Sequence, residues 1–457
     1  MSEASPEAVS VWRRPLVWLV ALAVLGLGLR VGAVWYLHGL EQVRIGGRVM
    51  ADPATQPLFM DSLEYLRVAE NLLNGDGLSV DKASQIGRMP GYPVFLAALE
   101  AAFGRSNLAV RLAQAAVGTL AVLLSYVLAR ELFGTRAALA AAALTAVYPA
   151  FVAFTVLVLS ETLFTVLLLA GAVGLAMAWR RGGLVWPAAA GVGLALATLA
   201  RGSLLPVAGL VAVGWVAARK PRLGSLQGAV AMLAAFAIAM APWVVRNWRV
   251  TGGHLVLTTL RTGPSLYEGL NPNADGGPMM DQINWDAGTA GMTEWERDQH
   301  WRELALDYAR QHPGRVAVLA LVKLVRFWNV VPNLRSFRSP AICAGLGLPY
   351  AAVMVLALVG LVRSWRRADV ALILLLPVVY HALVHMVFVG SLRYRVAVMP
   401  LVIVLAACGV DVLWSRWQRG RSRTDGDRAD VQRGADGGPP AGAGAVGAGG
   451  EAGGGGG

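Results

Sequence analysis

The chain has 457 residues, of which 56% are apolar and only 15% are charged, and its mean hydropathy is +0.55. Soluble proteins carry about a quarter charged residues, so this composition excludes a cytosolic enzyme, a secreted module and a long disordered chain. The net charge of +12 indicates loop charge that determines membrane topology, and no nucleic-acid partner is expected.

Ten apolar segments predict an all-α polytopic membrane protein with about ten transmembrane helices. A bilayer core needs roughly 20 apolar residues per helix. The first segment, 15–37, follows two arginines and is too long for the core of a signal peptide, so we expect an uncleaved helix. The others are 109–132, 137–154, 161–179, 184–199, 204–218, 226–245, 341–363, 370–388 and 396–414. The short pair 184–199 and 204–218 is also compatible with one hairpin around Arg201.

Basic residues are unevenly distributed between the predicted loops. Short segments on one side carry Arg13/Arg14, Arg130/Arg136, Arg180/Arg181, Arg219/Lys220/Arg222 and Arg363/Arg366/Arg367. The short segment 155–160 on the other side carries none. Because cytoplasmic loops are enriched in Lys and Arg, we expect both termini in the cytoplasm and the protein in the inner (plasma) membrane. Two long outer loops, at about 38–108 and 246–340, are then extracytoplasmic.

One further apolar stretch, 316–331, lies within the second outer loop. If it crossed the membrane, the following basic cluster would be exported, so we predict an interfacial or protein-buried helix with Lys323 and Arg326 snorkelling. From residue 416 the sequence is charged and then rich in Gly, Ala and Pro. Such a segment cannot bury a core, so we expect a transmembrane domain over 1–415 and a disordered cytoplasmic tail over 416–457.

The first outer loop contains two predicted surface helices. Apolar residues recur with helical spacing after residue 57, as in an amphipathic helix that lies on a membrane. The glycines of 74–77 end this helix. A bend at 90–93 leads into a second short helix that ends at Phe103. Together the two helices would roof a cavity that is reached from the bilayer.

Two carboxylates have unusual apolar neighbours. Asp61 begins the first surface helix, and Glu161 begins a predicted span at its outer end. Near apolar surface the pKa of Asp61 would rise, which suits a general base. Ionisable groups at membrane depth are costly and are usually functional or paired. The alternative for both is a first-turn carboxylate favoured by capping or by the helix dipole, and Glu64 is expected to be a solvated charge.

An ordered set of short motifs resembles the bacterial polyprenol-phosphate-sugar glycosyltransferases. The motifs are D-x-x-x-Y (61–65), L-x-x-G-x-G (72–77), R-x-P-G-Y-P (88–93), S-E-T-L-F (160–164), P-W-x-x-R-N (242–247), E-G-x-N-P (268–272) and R-Y-R (393–395). These enzymes include glycosyltransferase family 39, the protein O-mannosyltransferases and the lipid A aminoarabinose transferases, which share the glycosyltransferase C fold. The resemblance covers roughly residues 15–415.

The resemblance implies transfer of a sugar from a polyprenyl-phosphate to an acceptor hydroxyl, with inversion at the anomeric carbon. Asp61 matches the acid that acts as base or positions the acceptor. Glu161 matches an acid on the next outer turn, and Arg88 matches a basic residue that contacts the lipid-linked phosphate. Many relatives carry a second acid where this chain has Ser62, and some carry Arg where it has Glu64.

Cationic groups aimed at the leaving phosphate would lower the barrier, and arginine suits bidentate phosphate binding. The candidates lie at outer ends of spans or in loops and are Arg88, Arg201, Arg246, Arg393 and Arg395. The alternative for each is a lipid-headgroup anchor or a structural ion pair. With so many arginines no cofactor is required, although a divalent metal is compatible with the site, and no set of metal ligands is predicted.

Five further residues are candidates for substrate binding, and they are Tyr65, Tyr92, Asn271, His381 and Tyr394. His381 has His385 on the same helical face, and a core or hydrogen-bonding role is the simpler interpretation. Asn271 lies in a stretch that a plain turn would also explain. Tyr394 is also typical of the interfacial aromatic belt.

Two other functional classes remain open. A multi-span transporter or lipid flippase predicts ionisable groups at the bilayer midplane and often an internal repeat. A purely structural subunit leaves Asp61, Glu161 and Arg88 without a role. The position of these charges at outer ends favours the glycosyltransferase. Its expected partners are the bilayer, a polyprenyl-phosphate-linked sugar and an acceptor protein, lipid or glycan.

Overall fold

The computed structural model describes residues 15–40, 42–45, 48–51, 59–333 and 338–435. Helices dominate this part of the chain, and the predicted all-α membrane architecture is confirmed. One short antiparallel hairpin, which the sequence does not predict, pairs β1 (Gln42–Ile45) with β2 (Arg48–Ala51) at the start of the first outer loop.

All ten predicted apolar segments are helical. The helices of the first half are α1 (Pro15–His38), α2 (Met60–Leu73), α3 (Gly91–Phe103), α4 (Asn107–Phe133), α5 (Thr135–Val147), α6 (Pro149–Thr155), α7 (Glu161–Arg181), α8 (Val185–Ala200) and α9 (Leu205–Ala218). Those of the second half are α10 (Arg222–Val250), α11 (Thr262–Gly269), α12 (Glu294–Gln311), α13 (Pro313–Trp328), α14 (Pro340–Ser364), α15 (Ala368–Val387), α16 (Leu392–Val396) and α17 (Met399–Ala435).

Among the described residues, seven helices are long and apolar enough to cross a membrane, namely α1, α4, α7, α10, α14, α15 and α17. The bent pair α5 and α6 would make an eighth span. In contrast, α8 has 16 residues and α9 has 14, so they are roughly 24 Å and 21 Å long, shorter than a bilayer core of ~30 Å. The protein is a multi-pass membrane protein in which helix length supports seven or eight complete spans, against the ten predicted.

α7 is the most buried of the seven spans, and it packs against α8 through small residues. A Cβ added at Gly193 would lie 2.7 Å from the backbone nitrogen of Gly171, and one at Gly174 would lie 2.9 Å from Ala190 Cα. Close backbone approach at small residues is how membrane helices gain van der Waals contact. This packing fixes the position of α7, of which Glu161 is the first residue.

α2 and α3 form where the two surface helices are predicted. α3 approaches α8 so closely that a Cβ at Gly91 would lie 2.8 Å from the backbone of Leu199 and Ala200. Only glycine fits this contact. Because Arg88 precedes Gly91 by three residues, the contact places Arg88 near the end of α8.

α13 is the apolar stretch of the second outer loop, and its 16 residues are too few for a span. The expectation that Lys323 snorkels is wrong, since its side chain is fully buried and Nζ donates to the Val387 carbonyl at 2.6 Å. The backbone of Gly269 lies close to the amine, since a Cβ added at Gly269 would lie only 3.0 Å from Nζ. Arg326 is half-buried and donates to the carbonyl of Gly390 at 3.4 Å.

The last helix extends past residue 415, where the sequence predicts the transmembrane domain to end. α17 continues to Ala435, so residues 416–435 are helical where the sequence predicts disorder. The unfavourable step in helix formation is nucleation, and an existing helix extends at little cost. Residues 436–457 of the predicted tail, like Arg13 and Arg14, lie outside the described residues.

Stability should depend on pH through Lys323. Burial lowers the pKa of Lys323 from 10.5 to about 8. Between these values the unfolded state binds more protons than the folded state, so the stability of the fold rises with pH across this interval. We expect this rise to be on the order of 3 kcal/mol and to be absent in Lys323→Met. Unfolding of the detergent-purified protein at a series of pH values measures it.

The matched control is Lys82→Met, which alters an exposed lysine of the first outer loop and should keep the wild-type dependence on pH. Parallel curves for the wild type and Lys323→Met would contradict the prediction.

Candidate active site

Five predicted residues from five separate segments converge at one place. Asp61 lies in the first turn of α2, Arg88 shortly before α3, Glu161 at the first position of α7, Arg201 directly after α8, and Arg393 in α16. All lie at or near helix ends, where the chain changes direction. Arg201, for example, is extended (φ −148°, ψ 108°) between α8 and a 3₁₀ turn.

Arg393 joins the two acids. Its Nη1 donates to Asp61 Oδ2 at 2.5 Å, and its Nε donates to Glu161 Oε1. Arg88 Nη2 donates to the other oxygen of Asp61 at 2.6 Å. Arg201 Nη1 lies 2.8 Å from Glu161 Oε1. The five side chains therefore form a continuous row of alternating charges, which we call the arginine–carboxylate cluster.

Glu64 and Arg261 extend this cluster, and neither is predicted as a site residue. Glu64 Oε2 accepts from Arg88 Nε at 2.6 Å and from Arg261 Nη1 at 2.7 Å. The available signal for Glu64 is its spacing of three residues from Asp61 on one helix face, whereas Arg261 has no local signature. Within this hydrogen-bonded set three carboxylates face four guanidiniums, so the set carries one net positive charge, which favours an anion.

Burial differs between the two ends of the cluster. The side chain of Glu161 is 1% exposed, whereas those of Asp61 and Glu64 are 31% and 32% exposed. A ligand would therefore meet Asp61 before Glu161. A cavity of about 780 Å³ between α2, α3 and the start of α4 has Glu64 in its wall, and its volume is typical of small-molecule sites.

Asp61 is held in its ionised form. Burial by itself would raise its pKa, but Arg88 and Arg393 outweigh this effect and hold the pKa of Asp61 well below its usual range. The sequence-based expectation of a raised pKa is therefore wrong, because it counted the apolar neighbours and not the two guanidiniums. While both arginines are bound to it, Asp61 is a weak proton acceptor.

Aromatic rings border the cluster. The guanidinium of Arg88 lies over the ring of Tyr65, 5.0 Å from its centroid, and that of Arg201 lies 5.5 Å from the centroid of Tyr394. Such cation–π contacts help to hold a guanidinium in place. Tyr92 is fully buried behind Tyr65, with ring centroids 5.0 Å apart, and its hydroxyl is hydrogen-bonded within the protein. Tyr65 and Tyr394 are thus at the cluster, whereas Tyr92 supports it.

Two of the predicted arginines do not join the cluster. Arg246 Nη2 donates to the carbonyl of Leu78 at 2.9 Å and so ties the end of α10 to the first outer loop. Arg395 is buried, and its Nη1 donates to the carbonyls of Phe327 and Asn329 at 3.2 Å and 2.7 Å. Both side chains therefore hold backbone segments together.

Asn271 and His381 also lie in structural positions. The amide of Asn271 donates to the carbonyls of Tyr267 and Glu268 at the end of α11. His381 is fully buried in α15 and stacks near Phe164. The neighbouring His385 stacks on Tyr394 with ring centroids 4.2 Å apart, so this pair of histidines supports the cluster from behind.

The carboxylates of the cluster are bound by arginine. Both oxygens of Asp61 accept from guanidiniums. Across the described ranges, no group of three or more His, Cys, Asp and Glu side chains is placed to hold a metal ion. A divalent ion would have to displace an arginine to reach Asp61.

Residues 87–246 match the sequence profile of the dolichyl-phosphate-mannose-protein mannosyltransferases. This match confirms the resemblance that the motifs predict. The matched segment contains Arg88, Glu161 and Arg201 but neither Asp61 nor Arg393. No curated protein matches the sequence significantly.

Solved structures of an oligosaccharyltransferase from the archaeon Archaeoglobus fulgidus share the fold. The structure of AglB with an inhibitory peptide and a dolichol-phosphate is 17% identical, with a TM-score of 0.56 over 90% of this chain and 52% of that one. The enzyme tethered to an acceptor peptide is 15% identical, with a TM-score of 0.53 over 89% and 50%. The chain therefore spans about half the length of these proteins. It is a multi-pass membrane protein with the glycosyltransferase C fold.

Replacing Glu161 by Gln should destabilise the protein strongly. The amide keeps the shape of the side chain but leaves Arg201 and Arg393 without their buried counter-charge, and breaking a buried ion pair costs about 3–5 kcal/mol. Glu64→Gln is the control, since that carboxylate is 32% exposed and should contribute less than about 1 kcal/mol. Unfolding of both variants in one detergent makes the comparison, and equal losses would contradict it.

Proposed function

We propose that the chain is an integral membrane glycosyltransferase that moves a sugar from a polyprenyl-phosphate donor to an acceptor hydroxyl on the extracytoplasmic face. The observation that carries the proposal is the position of Arg393 between Asp61 and Glu161, with Arg88 and Arg201 beside them. An excess of positive charge next to an accessible carboxylate supplies a phosphate-binding group and a proton acceptor. The mannosyltransferase profile over residues 87–246 supports the class of reaction.

The donor phosphate binds to Arg88 and Arg393. These two guanidiniums hold Asp61 at the accessible end of the cluster, and a phosphate competes with Asp61 for the same N–H groups. Arginine suits this role because its planar fork binds phosphate in a bidentate manner. Negative charge gathers on the phosphate as its bond to the sugar breaks, so fixed guanidiniums stabilise the transition state more than the ground state.

Donor binding prepares Asp61 to act as the base. When the phosphate engages Arg88 and Arg393, the attraction that lowers the pKa of Asp61 weakens while its burial remains, so the pKa rises. The acceptor oxygen then attacks the anomeric carbon, the carbon–oxygen bond to the phosphate breaks, and the hydroxyl proton passes to Asp61. A single displacement of this kind inverts the configuration at the anomeric carbon.

Glu161 acts as a positioning residue in this scheme. Its side chain is enclosed, so it holds Arg393 and Arg201 and does not touch the substrate. Tyr65 and Tyr394 border the accessible arginines and are placed to contact the sugar or its carrier. Arg88 and Arg393 supply the charge that a divalent ion would otherwise provide, so the proposed reaction needs no metal.

The acceptor is a hydroxyl of a protein, a lipid or a glycan, and the cavity beside Glu64 is its proposed entrance. The charge distribution of the short loops supports cytoplasmic termini, an extracytoplasmic site and the inner membrane as the location. A transporter or flippase is less well supported, because the residues of the cluster lie at or near helix ends and not along a midplane path between repeats.

Asp61→Asn should abolish sugar transfer while the protein stays folded, because Glu161 and Glu64 still pair with Arg393 and Arg88. The amide cannot accept the acceptor's proton, and loss of a general base lowers the rate by about 100-fold or more. Transfer from a radiolabelled polyprenyl-phosphate sugar to membrane acceptors, assayed with purified protein in liposomes, measures the effect. Asp76→Asn, on an exposed residue of the same outer loop, should leave transfer unchanged. Full activity in Asp61→Asn would remove the proposed base.

Transfer should be unaffected by removal of divalent ions. The guanidiniums of the cluster already supply the positive charge that the leaving phosphate needs, so the same assay in excess EDTA should give the untreated rate. Inactivation by EDTA, with recovery on adding Mg²⁺ or Mn²⁺, would show that an ion replaces one of the arginines in the working site.

A further inference from the structure

Arg30 is an arginine inside the first span that the scheme above does not use. It lies in α1 and is fully buried. Its Nη1 donates to the carbonyls of Gly26 and Ala146 at 2.9 Å and 3.2 Å, and its Nη2 donates to that of Thr145 at 3.3 Å. Its Nε is buried and has no hydrogen-bond partner in the part of the chain that the structure describes. An ionised group at this depth is costly and is usually paired or functional.

Glu161 carries a complementary buried atom without a partner. Its Oε1 is bound by both Arg393 and Arg201, whereas its Oε2 accepts no hydrogen bond from the described residues. Leaving a charged acceptor buried and unpaired costs the full desolvation penalty of that atom. Arg30 Nε is therefore a buried donor, and Glu161 Oε2 a buried acceptor, that find no partner among the described residues.

Arg30 and Glu161 line the same small cavity. Its volume is about 20 Å³, and Gly118, Thr162 and Thr165 also form its wall. One water molecule needs roughly 10–15 Å³ of such space and two or more polar partners. The cavity is therefore large enough for one water and too small for a substrate group.

We propose that a single ordered water occupies this cavity, accepting a hydrogen bond from Arg30 Nε and donating one to Glu161 Oε2. The water makes Arg30 a third guanidinium that supports Glu161, after Arg393 and Arg201. It also connects α1 to the cluster. This inference rests on the proposed function only where it concerns activity, since the water itself is a property of the fold.

Gly118 on α4 is what leaves room for this arrangement. A Cβ at this position would lie 2.9 Å from Arg30 Nε and 3.2 Å from its Cδ. An alanine there would place its methyl group against Nε, inside the wall of the cavity, and so exclude the water. Gly118 is thus a steric requirement for the connection between Arg30 and Glu161.

The connection gives Arg30 a positioning role in the proposed reaction. When a donor phosphate draws Arg393 towards itself, Glu161 loses part of its counter-charge. Arg201 and the water-linked Arg30 keep that carboxylate in place while Arg393 moves towards the phosphate. Loss of the water should therefore weaken donor binding more than acceptor binding.

The first test detects the water without any substrate. A cryo-electron microscopy map of the wild type in nanodiscs, at a resolution that shows ordered water, should contain one density peak between Arg30 Nε and Glu161 Oε2. Radiolytic hydroxyl labelling, which marks side chains beside bound water, should modify Phe151 and Phe154 in the cavity wall. An empty cavity with both phenylalanines unlabelled would overturn the proposal, whatever the enzyme does.

The second test uses Gly118→Ala, with Gly28→Ala as its control because a Cβ at Gly28 meets nothing within 4 Å. Gly118→Ala should lose the labelling of Phe151 and Phe154. It should also raise the KM for the polyprenyl-phosphate sugar about tenfold, the effect of losing one hydrogen bond to a charged group, while the acceptor KM stays unchanged. Equal changes in both KM values, or none, would remove the positioning role of Arg30.

Discussion

The guanidinium of Arg393 between the carboxylates of Asp61 and Glu161 is the contact on which the site depends. It joins the first surface helix, a central span and the short helix before the last span through a single side chain. A charge in this partly buried position is tolerated only if its partners are in place. Correct docking of the outer loops and assembly of the site are therefore one event.

The ion pairs of Asp61 stabilise the fold but lower the basicity of this carboxylate. Arg88 and Arg393 stabilise the folded resting state by pairing with Asp61, and in doing so they lower the pKa of the group that accepts a proton in the proposed reaction. In the proposed reaction the donor phosphate resolves this conflict, because it binds the two guanidiniums and releases Asp61. Asp61 would then become basic only when the donor is bound.

The contrast between Arg393 and Arg395 shows how far motif reasoning extends. Both belong to one R-Y-R motif and are equally good candidates by sequence, but residues two apart on a helix do not face the same side. Arg393 reaches the cluster, and Arg395 binds backbone carbonyls on another side. Burial likewise reversed the prediction for Lys323, because the covering backbone comes from segments distant in the sequence.

The sequence by itself determined the membrane class, the positions of the helical segments, the two surface helices and the identity of two acids and three arginines of the cluster. These features follow from local hydropathy, helix-ending residues and short motifs, which need no knowledge of distant residues. The tertiary structure alone decided which groups pair, the direction of the pKa shift of Asp61 and the inclusion of Glu64 and Arg261. Those properties depend on distances of a few ångströms between residues as far apart as 332 positions in the chain, and electrostatic energies change steeply over such distances.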